Sequence, residues 1–127
     1  VLKRSNCRFF LMTGNNIDEL KIMDEIIESE YKEYCTPLNN FTIKEILPII
    51  PNCQIAICND SSFSHLSAGL GIKTIVLMVD TPLIYGSYNK NMYPILPEGE
   101  TNVTHDTLGK DKINPEEIYN KFKKLLG

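Results

Sequence analysis

The sequence predicts an α/β fold in which an open parallel sheet carries helices on both of its faces. Short apolar runs typical of buried strands end in polar turns, and segments with helical spacing of apolar residues follow them. The run at 73–79 (KTIVLMV) is rich in β-branched residues, which is typical of a strand covered on both faces. Because buried strands alternate with helices along the chain, a parallel sheet is the expected arrangement.

The first part of the chain reads as a strand followed by two helices. Residues 7–13 (CRFFLMT) form a predicted strand that ends at a Gly-Asn-Asn turn. A helix is expected over residues 17–34, where apolar residues recur at three- and four-residue spacing. Thr42 and Glu45 have the spacing of a capping box that opens a short helix, which Pro48 disturbs or ends.

The middle of the chain reads as strand, polar loop, helix and strand. Residues 54–58 (QIAIC) are a predicted strand, and residues 59–62 (NDSS) are of the types that favour turns and helix caps. A helix of small residues is expected from about residue 64 to residue 70, before the apolar strand at 73–79.

The last part of the chain combines a long loop with a closing helix. Residues 80–109 are rich in Pro, Gly, Asn and Tyr, and within them residues 93–96 (YPIL) resemble a short strand. Asn114 as N-cap and Pro115 at the first helical position predict a terminal amphipathic helix. We expect residues 1–127 to form one domain.

Composition and charge exclude two classes of function. The formal net charge is −3 and the basic residues are scattered, so a nucleic-acid-binding surface is not expected. The apolar runs are far shorter than the roughly 20 residues of a membrane-spanning helix. The four cysteines form no CxxC pair, and we expect buried free thiols in a reducing cytosol. They are Cys7, Cys35, Cys53 and Cys58.

The polar loop after the strand at 54–58 is the main candidate binding site. In open parallel sheets, ligands bind beyond the carboxyl ends of the strands. The N–H groups of Ser62, Phe63 and Ser64 would be unpaired donors at the positive end of a helix, where a phosphate is well accommodated. His65, in the first turn, could contact the same anion. The alternative is a plain Asp or Ser cap with His65 on the helix surface.

Two other chemistries receive little support from this segment. A serine hydrolase would place Ser61 or Ser62 in a G-x-S-x-G pattern, and no glycine flanks either serine. A metal site is not expected, because Asp60 and His65 lack partners at ligand spacing.

The same segment carries a family resemblance. Residues 59–76 (NDSSFSHLSAGLGIKTIV) resemble the D-[ST]-G-x-x-H-L-[AST]-A-x-x-G-x-[PK]-T signature of glycosyltransferase family 9, the ADP-heptose:lipopolysaccharide heptosyltransferases. The similarity extends to residues 41–45, 80–91 and 114–118. It follows the order of the family's carboxyl-terminal half over nearly the whole chain.

The resemblance implies one half of a GT-B fold, in which two Rossmann-like domains face each other across a cleft. Residues 1–127 would be the nucleotide-sugar donor-binding domain. The general base and the acceptor site would lie in an amino-terminal domain absent from this chain, so no catalytic residue is expected here and the isolated half would be inactive. The chain would then be a fragment of a longer protein.

The implied reaction is inverting transfer of a heptose or related sugar from a nucleoside-diphosphate sugar, ADP-linked, to a lipopolysaccharide core or similar saccharide acceptor. The resemblance implies no metal and no other cofactor. It also implies a cytoplasmic protein, peripheral at the inner face of the bacterial inner membrane.

The family motifs assign donor-binding residues to this sequence. The diphosphate and sugar would contact Asp60, Ser61, Ser62, Phe63, His65 and Lys90. The nucleoside would contact Phe41, by stacking on the base, and Asp18 at the ribose, with Asn16 as a second candidate. Tyr88 could approach the donor from the same loop as Lys90. Ser62 replaces the usual glycine, so a positive φ at this position would add strain.

Two alternatives from other classes stay open at this point. One is a non-catalytic or truncated nucleotide-binding α/β module. The other is a structural α/β domain in which residues 60–65 only cap a helix.

Overall fold

The computed structural model describes residues 1–127, apart from the side chain of Lys110. The chain divides into two compact units, Val1–Pro48 and Ile49–Gly127. Each unit contains a sheet of parallel strands and at least two α-helices.

In the first unit, strand β1 (Phe9–Leu11) pairs in parallel with strand β2 (Cys35–Pro37). Helix α1 (Ile17–Ile27) lies between them in the chain, and helix α2 (Ile43–Ile46) follows β2. The capping box predicted for α2 is confirmed: Thr42 Oγ1 accepts the Glu45 N–H at 3.3 Å, and Glu45 Oε1 accepts the Thr42 N–H at 3.1 Å.

The predicted extent of the first long helix is wrong beyond Ile27. Ser29 Oγ donates to the Ile26 carbonyl at 2.6 Å and accepts the Tyr31 N–H at 3.2 Å, which turns the backbone out of the helix. Glu28 and Glu30 also place negative charge at the carboxyl end of α1, where the helix dipole disfavours it. Strand β2, which the sequence analysis did not predict, forms after this turn.

In the second unit, strands β3 (Ile55–Asn59), β4 (Lys73–Leu77) and β5 (Met92–Ile95) pair in parallel in that order. Helix α3 (Ser62–Gly69) connects β3 to β4, and helix α4 (Pro115–Leu126) ends the chain. The predicted α/β class with open parallel pairing is therefore confirmed, although the strands form two sheets where the sequence predicted one.

Strand β4 is buried on both of its faces, since Ile75 and Val76 each have no exposed surface. Val76 packs in one cluster with Ala68 of α3, so α3 covers that face. Lys73 shares the other face with Ile75, and its Nζ donates to the carbonyl of Leu125 in α4 at 2.9 Å. Helices α3 and α4 therefore cover opposite faces of this sheet, as predicted.

No helix in the described part of the chain combines the length and apolar character that crossing a bilayer requires.

Candidate functional site

The turn between β3 and α3 places several of the predicted residues at the carboxyl edge of the sheet. Ser61 has an extended backbone (φ −154°, ψ 173°), and α3 begins at Ser62, two residues before the expected start. The fully buried Ser64 fixes this turn, because its Oγ accepts the Ser61 N–H at 3.3 Å and donates to the Ser61 carbonyl at 2.7 Å. These two hydrogen bonds hold the Ser61 backbone at the start of the helix.

Two backbone donors at this helix start are unpaired. The N–H groups of Ser62 and Phe63 have no hydrogen-bond acceptor in the described chain. The Ser64 N–H was also expected to be free, and this is wrong: it donates to the Ser61 carbonyl at 3.1 Å. The first turn of α3 carries no acidic residue, so the two free donors and the helix dipole together favour an anion.

Ser62 replaces the glycine of the signature without backbone strain. Among the described non-glycine residues, a positive φ occurs at Leu108, and Ser62 is an ordinary first helical residue. Its side chain is exposed, so the extra bulk points into solvent.

His65 lies between two polar side chains from different elements. Its Nε2 is 3.5 Å from Asp60 Oδ1, and its Nδ1 is 2.6 Å from the Tyr88 hydroxyl. The rings of His65 and Tyr88 stack, with centroids 5.6 Å apart and an interplanar angle of 18°. The structure thus brings Asp60, His65 and Tyr88 together. All three residues are candidates from the sequence, but the contact between His65 and Tyr88 was not predicted.

The loop that carries Tyr88 is anchored on α3 rather than extended into solvent. Asn91 Nδ2 donates to the Ala68 carbonyl at 3.1 Å. This hydrogen bond lies close to the contact between His65 and Tyr88, because Asn91 is three residues from Tyr88 and Ala68 is three residues from His65. Farther back in the loop, Gly86 lies so close to the Met78 side chain that a Cβ would collide with it. Lys90 is exposed between the two anchor points.

A cavity of about 380 Å³ opens at the carboxyl ends of β3 and β4. Its polar lining comes from Asn59, Asp60, Asp80 and Thr81. Asp60 Oδ1 and Thr81 Oγ1 are buried and make no hydrogen bond within the described chain. Buried polar atoms without partners are rare in folded proteins, so these two atoms are exceptions at this edge of the sheet. A second cavity of about 480 Å³, next to β5 and α4, contains none of the predicted site residues.

The residues predicted to bind the nucleoside belong to the unit Val1–Pro48. The Phe41 side chain is 44% exposed, directly before the cap of α2. Asp18 is exposed in the first turn of α1. Asn16, the second candidate for the ribose, caps α1: its Oδ1 accepts the Glu19 N–H at 2.9 Å. The Asn16 side chain is therefore engaged in the cap of α1.

The cysteines are free thiols, as predicted, although Cys35 alone is buried and the other three are partly exposed. Burial raises the pKa of the Cys58 thiol in β3 to about 11, so this thiol is protonated at neutral pH and is a poor nucleophile. The described residues contain no group of three or more His, Cys, Asp or Glu side chains that could hold a metal ion.

Comparison with known families identifies a match over most of the chain. The family model for glycosyltransferase family 9 (heptosyltransferase) matches residues 1–114, which include both sheets, α3 and the Tyr88 loop. No curated protein and no solved structure matches the chain.

Proposed function

The chain belongs to glycosyltransferase family 9, and from this premise we propose that it is the donor-binding part of an enzyme that transfers a heptose or related sugar. The proposed donor is a nucleoside-diphosphate sugar, ADP-linked, and the proposed acceptor is a lipopolysaccharide core or a similar saccharide. Residues 1–127 would bind the donor as one domain. The acceptor and the general base would lie in a second domain, at the inner face of the membrane.

The observation that carries this proposal is the pair of free N–H groups on Ser62 and Phe63, at the carboxyl end of β3. When the bond between the sugar and the diphosphate breaks, negative charge develops on the departing nucleoside diphosphate. Fixed donors at a helix amino terminus stabilise such charge without rearranging. In the proposed reaction the backbone donors stabilise the departing diphosphate, and we propose that no metal takes part.

The other predicted residues have complementary roles in this proposal. Asp60 is negatively charged, which suits it to accept hydrogen bonds from sugar hydroxyl groups rather than to contact the diphosphate. His65, beside it, offsets part of that charge near the donor phosphates. Lys90 is exposed in the loop that contacts α3 and would pair with a phosphate oxygen. Phe41 would stack on the base, and Asp18 would bind the ribose.

Calorimetric titration with ADP, UDP and GDP tests the proposal. We expect selective ADP binding with a Kd on the order of 0.1 to 1 mM, that is about −4 to −5.5 kcal/mol. The informative variant is Ser62→Pro, which removes one N–H donor at a helical position that tolerates proline. Ser61 is already extended, as a residue before proline requires, and α4 begins with a proline in the same way.

Loss of one charge-assisted hydrogen bond should weaken ADP binding about tenfold in Ser62→Pro. Ser62→Gly is the matched control, because it keeps the N–H and restores the usual family residue, and its affinity should equal that of the original protein. His65→Ala and Ser61→Ala should also weaken binding. Failure of a folded sample to bind any of the three nucleotides would contradict the proposal and favour a structural α/β domain.

A further inference from the structure

The contact between His65 and Tyr88 gives Tyr88 a specific role. We propose that Tyr88 is a positioning residue that holds the His65 imidazole as the Nε2–H tautomer, with this N–H on the side of Asp60, near the start of α3. The tautomer is a property of the protein without ligand, and its consequence for donor binding rests on the proposed function.

The two neighbours of the ring select the tautomer. Nε2 lies 3.5 Å from Asp60 Oδ1 without forming a hydrogen bond to it, and the negative charge of this carboxylate favours a proton rather than a lone pair on Nε2. In a neutral ring, Nδ1 is then an acceptor, and the Tyr88 hydroxyl at 2.6 Å donates to it. The opposite tautomer would direct a lone pair at the Asp60 carboxylate and leave the Tyr88 hydroxyl to accept.

Tyr88 is also placed to restrain the ring plane. The two rings stack at an interplanar angle of 18°, and the hydrogen bond from Asn91 to the Ala68 carbonyl holds the loop beside α3. Tyr88 is 55% exposed, so burial of its ring does not explain the placement. The hydroxyl contact and the ring stacking are the interactions that fix His65 from this side.

The orientation matters for an anion at the start of α3. The Asp60 carboxylate would repel a diphosphate bound by the Ser62 and Phe63 N–H groups. An Nε2–H on the side of this carboxylate offsets the repulsion, whereas an exposed lone pair on Nε2 would add to it. Tyr88 would therefore raise donor affinity without touching the donor.

The first test reads the tautomer directly in the protein without ligand. Long-range ¹H–¹⁵N spectra of histidine side chains distinguish the two neutral tautomers, and should be recorded at about pH 8, where an imidazole is ordinarily neutral. The chain has two histidines, and a His105→Gln variant assigns the signals of His65. We expect a single Nε2–H tautomer, and a mixture of tautomers in Tyr88→Phe, which keeps the ring but lacks the hydroxyl.

The second test asks whether Tyr88 acts through His65. Tyr88→Phe should weaken ADP binding about fivefold, the loss expected for one hydrogen bond. The same change in a His65→Ala background should have no further effect. Tyr85→Phe is the matched control: this tyrosine lies in the same loop, is 50% exposed, and its hydroxyl makes no hydrogen bond in the described chain. Its affinity for ADP should be unchanged.

The outcomes separate this inference from the proposed function. An Nδ1–H tautomer in the original protein, or an unchanged spectrum in Tyr88→Phe, overturns the positioning role whether or not ADP binds. Equal, additive losses from Tyr88→Phe in both backgrounds overturn it as well. A single Nε2–H tautomer together with no nucleotide binding supports the positioning of the ring and contradicts the proposed function.

Discussion

Helices α3 and α4 both begin after a polar cap residue, Ser61 and Asn114, but they differ in which backbone N–H groups stay unpaired. At α4, Asn114 Oδ1 accepts the Glu116 N–H at 2.9 Å, Pro115 has no N–H, and two glutamates occupy the first turn. At α3, the N–H groups of Ser62 and Phe63 have no acceptor in the described chain, and the first turn has no acid. The start of α4 is therefore closed to anions, whereas the start of α3 is open.

This difference shows that a helix amino terminus does not by itself make an anion site. The dipole is present in both helices, and the residues at the cap and in the first turn decide whether its donors are used internally. In α3 the Ser64 hydroxyl makes two hydrogen bonds in this turn, and both of them are to the backbone of Ser61. The next two N–H groups consequently stay available.

The largest effect should come from the strand that leads into α3. Burial raises the pKa of Cys58 from 9.0 to about 11. Below about pH 9 the thiol is neutral in both the folded and the unfolded chain, so the stabilising contribution of the neutral thiol is fully present. As pH rises through about 11, this contribution is lost. The free energy of unfolding should fall by no more than about 3 kcal/mol over this range.

Urea unfolding at steps between about pH 8 and pH 11 measures this decline, and the comparison is with Cys58→Ala. The variant loses packing at every pH but should show a flatter dependence on pH. Burial also raises the pKa of Cys35 and Cys53, and both remain in the variant as a common background. Parallel curves for the two proteins would show that Cys58 is not the titrating group.

The second prediction concerns an acid in the first turn of α3, such as those that the first turn of α4 contains. Ser62→Glu adds an exposed acid to the first turn of α3. The helix dipole should make the variant more stable by about 0.5 kcal/mol, while repulsion of the diphosphate weakens ADP binding on the order of thirtyfold. Thermal unfolding and calorimetry measure the two effects. Ser62→Gln is the neutral control, and an equal loss of affinity in it would mean that side-chain size, not charge, is responsible.

The smallest effect is expected from opening the start of α4. Asn114→Ala removes the side-chain cap and should destabilise the protein by about 1 kcal/mol, as measured by urea unfolding. Glu116 and Glu117 remain in the first turn, so ADP affinity should not change. Any second nucleotide site created by this variant would show that a free N–H is sufficient for binding and that acids in the first turn do not prevent it.

Much of the second unit could be predicted from sequence. The buried run at 73–79 predicted β4, and Asn114 with Pro115 predicted the start of α4, because these signals come from residues adjacent in the chain. The first unit was harder: the helical spacing continued past Ile27, and the hydrogen bonds of Ser29 ended the helix. Strand β2 pairs with β1 across α1, and this pairing leaves no local pattern in a three-residue segment.

The candidate site shows the same contrast: residues adjacent in the chain could be predicted together, whereas contacts between distant residues could not. The motif located Asp60, Ser61, Ser62, Phe63 and His65 together, since they lie within one turn and one helix start. Tyr88 was named from the loop, but its contact with His65 spans 23 positions of the chain. The prediction that the Ser64 N–H is free failed for a related reason, because the tight turn at Ser61 directs a carbonyl at it.

The sequence by itself determined the α/β class, the family and the position of the loop between β3 and α3, because each is encoded in short, contiguous patterns of residues. Only the tertiary structure decided which N–H groups stay free, where the Tyr88 loop lies and which nitrogen of His65 faces Asp60. Those features depend on distances between side chains and backbone that packing sets to within about an ångström, and spacing along the chain does not carry that information.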